Sequence, residues 1–269
     1  AGNLAASIIG KANLHQLTAK IHQHFPQIPV YLETMPQTQH AKFERSSETT
    51  DKIVTLIPAC PNRVFAASQN SNSYPSQEIL EKLGFTVEYL AQTKDICCGQ
   101  IYHSQCNSTM EQQTTNGLKQ LIDPNKIYIM DNSSCSGFAQ DSGIKIWEIS
   151  SFIADKLVEV ELNKKYRKIA VHIDCSSAKH GLVSEAVLNV LKRCADELVF
   201  PEGIKCCGFA GDKGFTIPEL NQSSLSNLAT QINDCEIGVT FNRNCQIGLS
   251  YHGQVEYISF IELVLNCSK

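Results

Sequence analysis

No apolar run in this chain approaches the ~18 residues that a membrane-spanning helix needs. It has no lysine- or arginine-rich stretch, and its net charge is −4, so nucleic acid is not an expected partner. A Gly-x-Gly-x-x-Gly turn after a strand is absent, and with it the dinucleotide fingerprint. The tight Cys-x-x-Cys-x-x-Cys-x-x-x-Cys run of ferredoxins is missing too. The opening residues, AGNLAASIIGKANLHQ, do not read as a secretory signal, because Asn, Lys and His interrupt their apolar positions. They lack an initiator Met, and the chain is read as a piece of a longer protein. What remains is 269 residues, 42% apolar, enough for a real core in one large or two small domains. The chain also has twelve cysteines. Without an export signal, that number argues against a disulfide scaffold and for metal or redox chemistry in a reducing cytosol.

Eight of the twelve fall into one pattern written twice. The doublet Cys97-Cys98-Gly99 recurs as Cys206-Cys207-Gly208. Upstream stand Cys60, with 36 residues between, and Cys175, with 30 between. Downstream stand Cys135, with 35 residues between it and Gly99, and Cys245, with 36 between it and Gly208. Soft thiolates in fours suit zinc or an iron–sulfur cluster.

The rest of the chain supplies a frame for these sets. Residues 3–25 read as a helix, and 32–52, polar and carrying Pro36, as a linker or an exposed excursion. From 53 onward, short β-rich runs alternate with helices. The expected strands are 53–58, 85–90, 127–131, 168–173, 197–200, 237–240 and 255–259. Helices are expected at 76–83, between Pro75 and Gly84, and at 182–198, with Val183, Val187, Val190, Leu191, Cys194 and Leu198 on one stripe. Such alternation implies an α/β fold with mostly parallel sheets. The expected architecture is two tandem, pseudo-symmetric Rossmann-like units behind a helical N-terminal segment. The expected boundaries are 1–52, 53–160 and 161–269.

Every pattern cysteine then lies just past the C-terminal end of a strand, the edge where open α/β sheets bind ligands. Adjacent cysteines diverge on a regular strand or helix. A doublet can serve one site only from an irregular loop, which Gly99 and Gly208 permit. The alternative is that each doublet is buried packing, since free cysteine behaves as a small hydrophobe.

The motifs Pro58-Ala-Cys-Pro-Asn-Arg63, His172-Ile-Asp-Cys-Ser-Ser177 and Cys206-Cys-Gly-Phe-Ala-Gly-Asp-Lys-Gly-Phe215 carry a family resemblance. So do Pro218-Glu-Leu-Asn221 and Asn242-Arg-Asn-Cys-Gln-Ile-Gly-Leu-Ser250. Over roughly 53–266 the chain resembles two copies of the cysteine-rich CCG domain. That domain occurs in heterodisulfide reductases, glycolate oxidase iron–sulfur subunits, lactate utilisation proteins and succinate:quinone reductase variants. The chain resembles more closely still the C-terminal part of large D-2-hydroxy acid dehydrogenases that carry FAD and iron–sulfur clusters. The resemblance implies an electron-transfer module with one iron–sulfur cluster, of [4Fe–4S] type, per repeat. It further implies FAD and a ferredoxin-like segment elsewhere in the intact protein, and a quinone, cytochrome or other acceptor. The implied location is the cytoplasm or the inner face of the membrane, and this stretch alone is not expected to be catalytic. Structural zinc, or thiol–disulfide catalysis, is the alternative.

The sequence departs from the heterodisulfide reductases at one matched position. There the last cysteine of each repeat belongs to a Cys-x-x-Cys; here the first of those positions is Asn132 or Asn242, leaving four thiolates per repeat. Each Asn is read as a cluster neighbour or as a helix N-cap. Arg63 and Arg243, within three residues of a motif cysteine, are cations able to lower thiolate pKa values or offset cluster charge. His172 is the leading histidine for a functional role, ahead of His103, His180 and His252. The glycines of 208–214 are expected to let the backbone wrap close to a cluster. Cys106, Cys194, Cys235 and Cys267 are read as packing or surface thiols.

Overall fold

A computed structural model describes residues 2–38, 42–66, 74–90 and 92–268 and contains two four-stranded sheets in which every pairing is parallel. The first comprises β1 (Ile53–Ile57), β2 (Thr86–Tyr89), β3 (Tyr128–Met130) and β4 (Trp147–Glu148), in the order β2-β1-β3-β4. The second comprises β5 (Tyr166–His172), β6 (Ala195–Val199), β7 (Ile237–Thr240) and β8 (Tyr257–Ser259), in the order β6-β5-β7-β8. The plan is therefore repeated strand for strand. Helices cover both faces, so β1, Ile-Val-Thr-Leu-Ile, is apolar at all but Thr55 and is buried from Val54 onward without alternation. In each sheet the chain steps outward from the first strand to the second, then crosses back to the third. That reversal puts the topological switch point, where open parallel sheets bind ligands, between the C-terminal ends of β1 and β3, and of β5 and β7.

Three expectations about local structure are corrected. The N-terminal helix is two helices, Gly2–Ile9 and Lys11–His24, parted at Gly10, whose φ of 86° no helix accommodates. The helix expected over 182–198 is Glu185–Cys194, and β6 follows it without an intervening loop, so Leu198 lies on a strand. The short edge strand β4 lies outside the expected strands.

The two sheets share one core. Its largest apolar cluster combines Leu56 and Ile129 of the first sheet with Val171 and Val239 of the second. Phe260 and Leu263, from the helix Phe260–Cys267, belong to the same cluster. The first 52 residues also join the body. Val30 N donates to Phe215 O at 2.8 Å, and Tyr251 Oη lies 2.9 Å from His15 Nε2. Of the stretch expected to be a linker, 39–41 lie outside the described residues. Farther on, Ser46 N donates to Val87 O at 3.0 Å and Val87 N to Ser46 Oγ at 2.8 Å, so this polar segment covers the edge strand β2. Among the described residues no helix is long and apolar enough to cross a membrane.

Candidate functional site

The strand ends deliver the eight cysteines to matching places. Cys60 opens the helix Cys60–Val64 after β1, and Cys175 opens Cys175–Lys179 after β5. Cys135 is the third residue of Ser133–Asp141 after β3, and Cys245 the third of Arg243–Gly253 after β7. Both doublets lie in irregular backbone. Gly99 and Gly208 follow them with φ of 99° and 71°, in the left-handed region that favours glycine. A Cβ on Gly208 would stand 2.4 Å from Leu220 O, and one on Gly99 2.8 Å from Thr115 Oγ1. Each glycine also donates its N–H to the first sulfur of its doublet, Gly99 to Cys97 Sγ and Gly208 to Cys206 Sγ, both at 3.4 Å.

Each set is brought together as a row. In the first, Cys60 hydrogen-bonds Cys97, Cys97 bonds Cys98, and Cys98 bonds Cys135. In the second, Cys175 bonds Cys206, Cys206 bonds Cys207, and Cys207 Sγ lies 2.8 Å from Cys245 Sγ. Among the described residues no three or more His, Cys, Asp or Glu side chains surround one point as they would a bound ion. The thiols therefore form a contact row and not a closed cage.

Protonation differs along the rows. The Cys60 thiol is held above its ordinary range by its bond to Cys97 and by burial, with Arg63 pulling the other way. Bonding to Cys135 raises Cys98. In the second row Cys206 is lowered, chiefly by the bond from Cys175 and then by the one from Cys207. Cys175 and Cys206 are exposed, whereas Cys60 and Cys97 are half-buried.

The candidate neighbours separate clearly. Asn132 Oδ1 accepts from Ser134 N at 3.2 Å, and Asn242 Oδ1 from Asn244 N at 3.0 Å, so both are helix N-caps. Asn242 Nδ2 donates to Asn132 Oδ1 at 3.3 Å and to the Ser134 hydroxyl, and the two caps thus meet across the pair of sheets. Asn132 Nδ2 is buried and has no hydrogen-bond partner among the described residues. Arg63 Nη2 lies 3.1 Å from Cys60 Sγ. Arg243 faces away, donating to Gln246 at 2.7 Å and Asn62 at 3.2 Å, with the buried Glu262 carboxylate at 3.5 Å.

His172, at the end of β5, is buried with Nε2 unpartnered among the described residues, and desolvation lowers its pKa against the pull of Asp174 and Cys206. His180 lies between Ser176 and Asp141, but the Ser176 hydroxyl donates to Ser133 O at 2.9 Å, so this line-up supplies no free nucleophile. His103 pairs with Glu111 on the surface, and His252 packs edge-on against Tyr251. Cys194 and Cys267 are buried in contact with each other, Cys235 is buried, and Cys106 is exposed.

Sequence reasoning missed the residues that lock the doublets. Asn221 Nδ2 donates to Cys207 O, and Thr115 Oγ1 to Cys98 O at 3.4 Å. It also missed Asp131, whose carboxylate accepts from Ala59 N at 2.8 Å and from the Tyr74 and Ser76 hydroxyls, fixing the turn into Cys60. Asn221 closes the Pro218-Glu-Leu-Asn motif; nothing in the sequence marks Thr115 or Asp131, because their partners are 17 and 72 residues away.

The family described as "Cysteine-rich domain" (CCG) matches residues 54–138 and 169–250. Lactate utilization protein A of Oceanobacillus iheyensis is 25% identical over 205 residues, 67% of this chain and 80% of that protein. Lactate utilization protein A 1 of Bacillus mycoides is 21% identical over 202 residues, 66% of this chain and 80% of that protein. Among solved structures, the aspartate racemase of Picrophilus torridus aligns with a TM-score of 0.36 and 10% identity, covering 79% of this chain and 90% of that one. A glutamate racemase of Bacillus anthracis aligns with a TM-score of 0.35 and 13% identity, covering 81% and 79%.

Proposed function

The chain belongs to the CCG cysteine-rich family, and on that footing we propose that it serves electron transfer in the oxidation of lactate or a related 2-hydroxy acid. Cys60, Cys97, Cys98 and Cys135 would hold one iron–sulfur cluster, and Cys175, Cys206, Cys207 and Cys245 a second. One observation carries the reading: four thiols from three separate strand ends touch in an unbroken row, and the arrangement occurs twice. The donor set fits the group, since soft thiolates in fours are what such clusters take. Bound there, a cluster would supply reversible one-electron storage between a flavin on another domain or subunit and a quinone, cytochrome or other acceptor. Two similar proteins named for lactate utilization support the substrate class.

The chain's own residues hold and tune these thiols. Gly99 and Gly208 direct an N–H at the first sulfur of each doublet, which favours negative charge there. Asn221 and Thr115 hold the carbonyl of the second cysteine, so the doublet keeps its irregular path. Cys98 and Cys207 are buried among apolar side chains, which keeps water from the inner end of each row.

The test is anaerobic reconstitution followed by iron, sulfide and zinc analysis with optical and EPR spectra. Iron and sulfide are expected in near-equal amounts, about four of each per thiol set for a cubane cluster. Cys98→Ser and Cys207→Ser should each lose about half the iron, and Cys194→Ser, outside both rows, should keep it. Zinc without sulfide would replace this reading with a structural metal site. Equal iron in all three variants would remove the ligand assignment.

A further inference from the structure

Arg63 touches the first thiol row, and the matching position of the second repeat is Ala178. Its Nη2 lies 3.1 Å from Cys60 Sγ and donates to Ile96 O at 2.6 Å, while Nη1 reaches Thr93 O. The two carbonyls fix the guanidinium over the outer end of the row. Three residues beyond the first cysteine stands Arg63 in one repeat and Ala178 in the other. Among the described residues no carboxylate forms an ion pair with Arg63, so its charge is not already cancelled. Arg243, the other arginine near a motif cysteine, spends its charge on Glu262.

The two rows also differ in access to water. Cys175 and Cys206 are exposed, and solvent can reorient around charge that gathers on their sulfurs. Cys60 and Cys97 are half-buried, so the outer end of the first row has less water to do this, while Cys98 and Cys135 are buried just as Cys207 and Cys245 are. Charge in a lower-dielectric site must be met by fixed dipoles or by a cation. A guanidinium suits the task because it stays protonated and is weakly hydrated.

We propose that Arg63 is the charge-compensating residue of the first site, a fixed cation standing where solvent serves the second, and that it raises the reduction potential of the group held by Cys60, Cys97, Cys98 and Cys135. The inference rests on the iron–sulfur reading above. Added positive charge stabilises the reduced, more negative state, so losing it makes that group harder to reduce.

The experiment uses reconstituted protein in a Cys207→Ser background, so that only the first site is read, in an EPR-monitored redox titration. Arg63→Gln is expected to lower the reduced-to-oxidised ratio at a fixed potential at least tenfold, which is 59 mV for a one-electron couple. Arg63→Lys, which keeps the charge and loses the fork, is expected to change it less than threefold. A Gln variant within twofold of its parent overturns the proposal. So does a Lys variant shifted as far as the Gln variant, because the grip on Thr93 and Ile96 would then matter and not the charge. Should the Gln variant hold no iron, full iron in the Lys variant supports the charge role, and its loss there too assigns Arg63 to the scaffold. Wild-type protein that takes up no iron sinks the electron-transfer reading itself, and metal analysis reveals that before any potential is measured.

Discussion

The two thiol rows are built on one plan and live in different surroundings. Both sit beyond the ends of matching strands, and both have a doublet followed by a left-handed glycine. Around the first row stand Arg63 and a half-buried Cys60; around the second stand exposed Cys175 and Cys206 and the buried imidazole of His172. At the position of His172, three residues before the first cysteine, the first repeat has Ile57. A duplicated pattern thus preserves where sulfur is delivered, while the residues between the cysteines decide how each set is charged and how wet it is. Two sites with the same donors are expected to differ in reactivity, in tolerance of substitution and in the pH dependence of their frames.

The largest difference should appear in thiol chemistry. In metal-free protein, Cys206 is exposed and accepts hydrogen bonds from Cys175 and Cys207, which hold it low, while Cys60 and Cys97 are raised. The thiolate is the nucleophile, so exposure and a lowered pKa act together. Brief iodoacetamide treatment followed by peptide mass mapping should label Cys206 at least about tenfold faster than Cys60 or Cys97. Cys98 and Cys135, both buried, should label last among the first set. Equal rates at Cys97 and Cys206 would mean that the two rows share one environment, contrary to the exposure difference.

That difference was not legible in the sequence, although the rows themselves were. The repeated spacing was enough to group the cysteines, because strand ends in a parallel sheet fix where such residues go. Seven of the eight strands were expected near their observed positions. β4 escaped because two residues, Trp147 and Glu148, carry no period. The overlong helix at 182–198 escaped because no Gly or Pro separates Cys194 from Ala195, and the switch to a strand is set by pairing with β5. Arg63 and Arg243 look alike in sequence, each three or fewer residues from a motif cysteine. Only Glu262, nineteen residues beyond Arg243, takes one of them away. The N-cap roles of Asn132 and Asn242 were legible locally; that the two caps meet across 110 residues was not.

A second contrast concerns the doublet glycines. Both have positive φ, so any side chain costs of order 1–2 kcal/mol in backbone strain. Their surroundings differ. A Cβ on Gly208 meets backbone, Leu220 O at 2.4 Å and Leu220 C at 2.8 Å, in the helix Pro218–Ser224. A Cβ on Gly99 meets first the Thr115 hydroxyl at 2.8 Å, which can rotate away at the cost of its bond to Cys98 O. Gly208→Ala should therefore destabilise by about 3–5 kcal/mol and Gly99→Ala by about 1–3 kcal/mol, read from urea unfolding midpoints with unchanged slope. A Gly99 variant as damaging as the Gly208 variant would mean that Thr115 is as rigid as a helix backbone.

The smallest expected contrast lies in how the two repeats cap the helix after their last strand. After β8 the cap is Ser259, in a reciprocal box with Glu262 at 3.2 and 2.8 Å. After β4 the cap is Glu148, buried, accepting from Ser151 N at 3.0 Å and the Ser150 hydroxyl at 3.0 Å. Burial, partly offset by those bonds, pushes the Glu148 carboxyl up from 4.5 to about 7. A carboxyl raised in the folded state binds more protons there than in the unfolded chain between pH 4.5 and 7, so stability falls as pH rises through that window. Over the whole window the loss is about 2–3 kcal/mol, at ~1.4 kcal/mol per pKa unit. His172 acts in the opposite sense: its pKa is lowered, so it removes stability as pH falls below its unfolded value. The two trends overlap in the wild type and partly mask each other, and Glu148→Gln separates them. The variant should match wild type near pH 4.5 and gain on it steadily toward pH 7, with urea midpoints measured at half-unit steps. A constant offset across that range would mean that Glu148 is already ionised in the fold, and that its serine bonds, and not its burial, decide its charge.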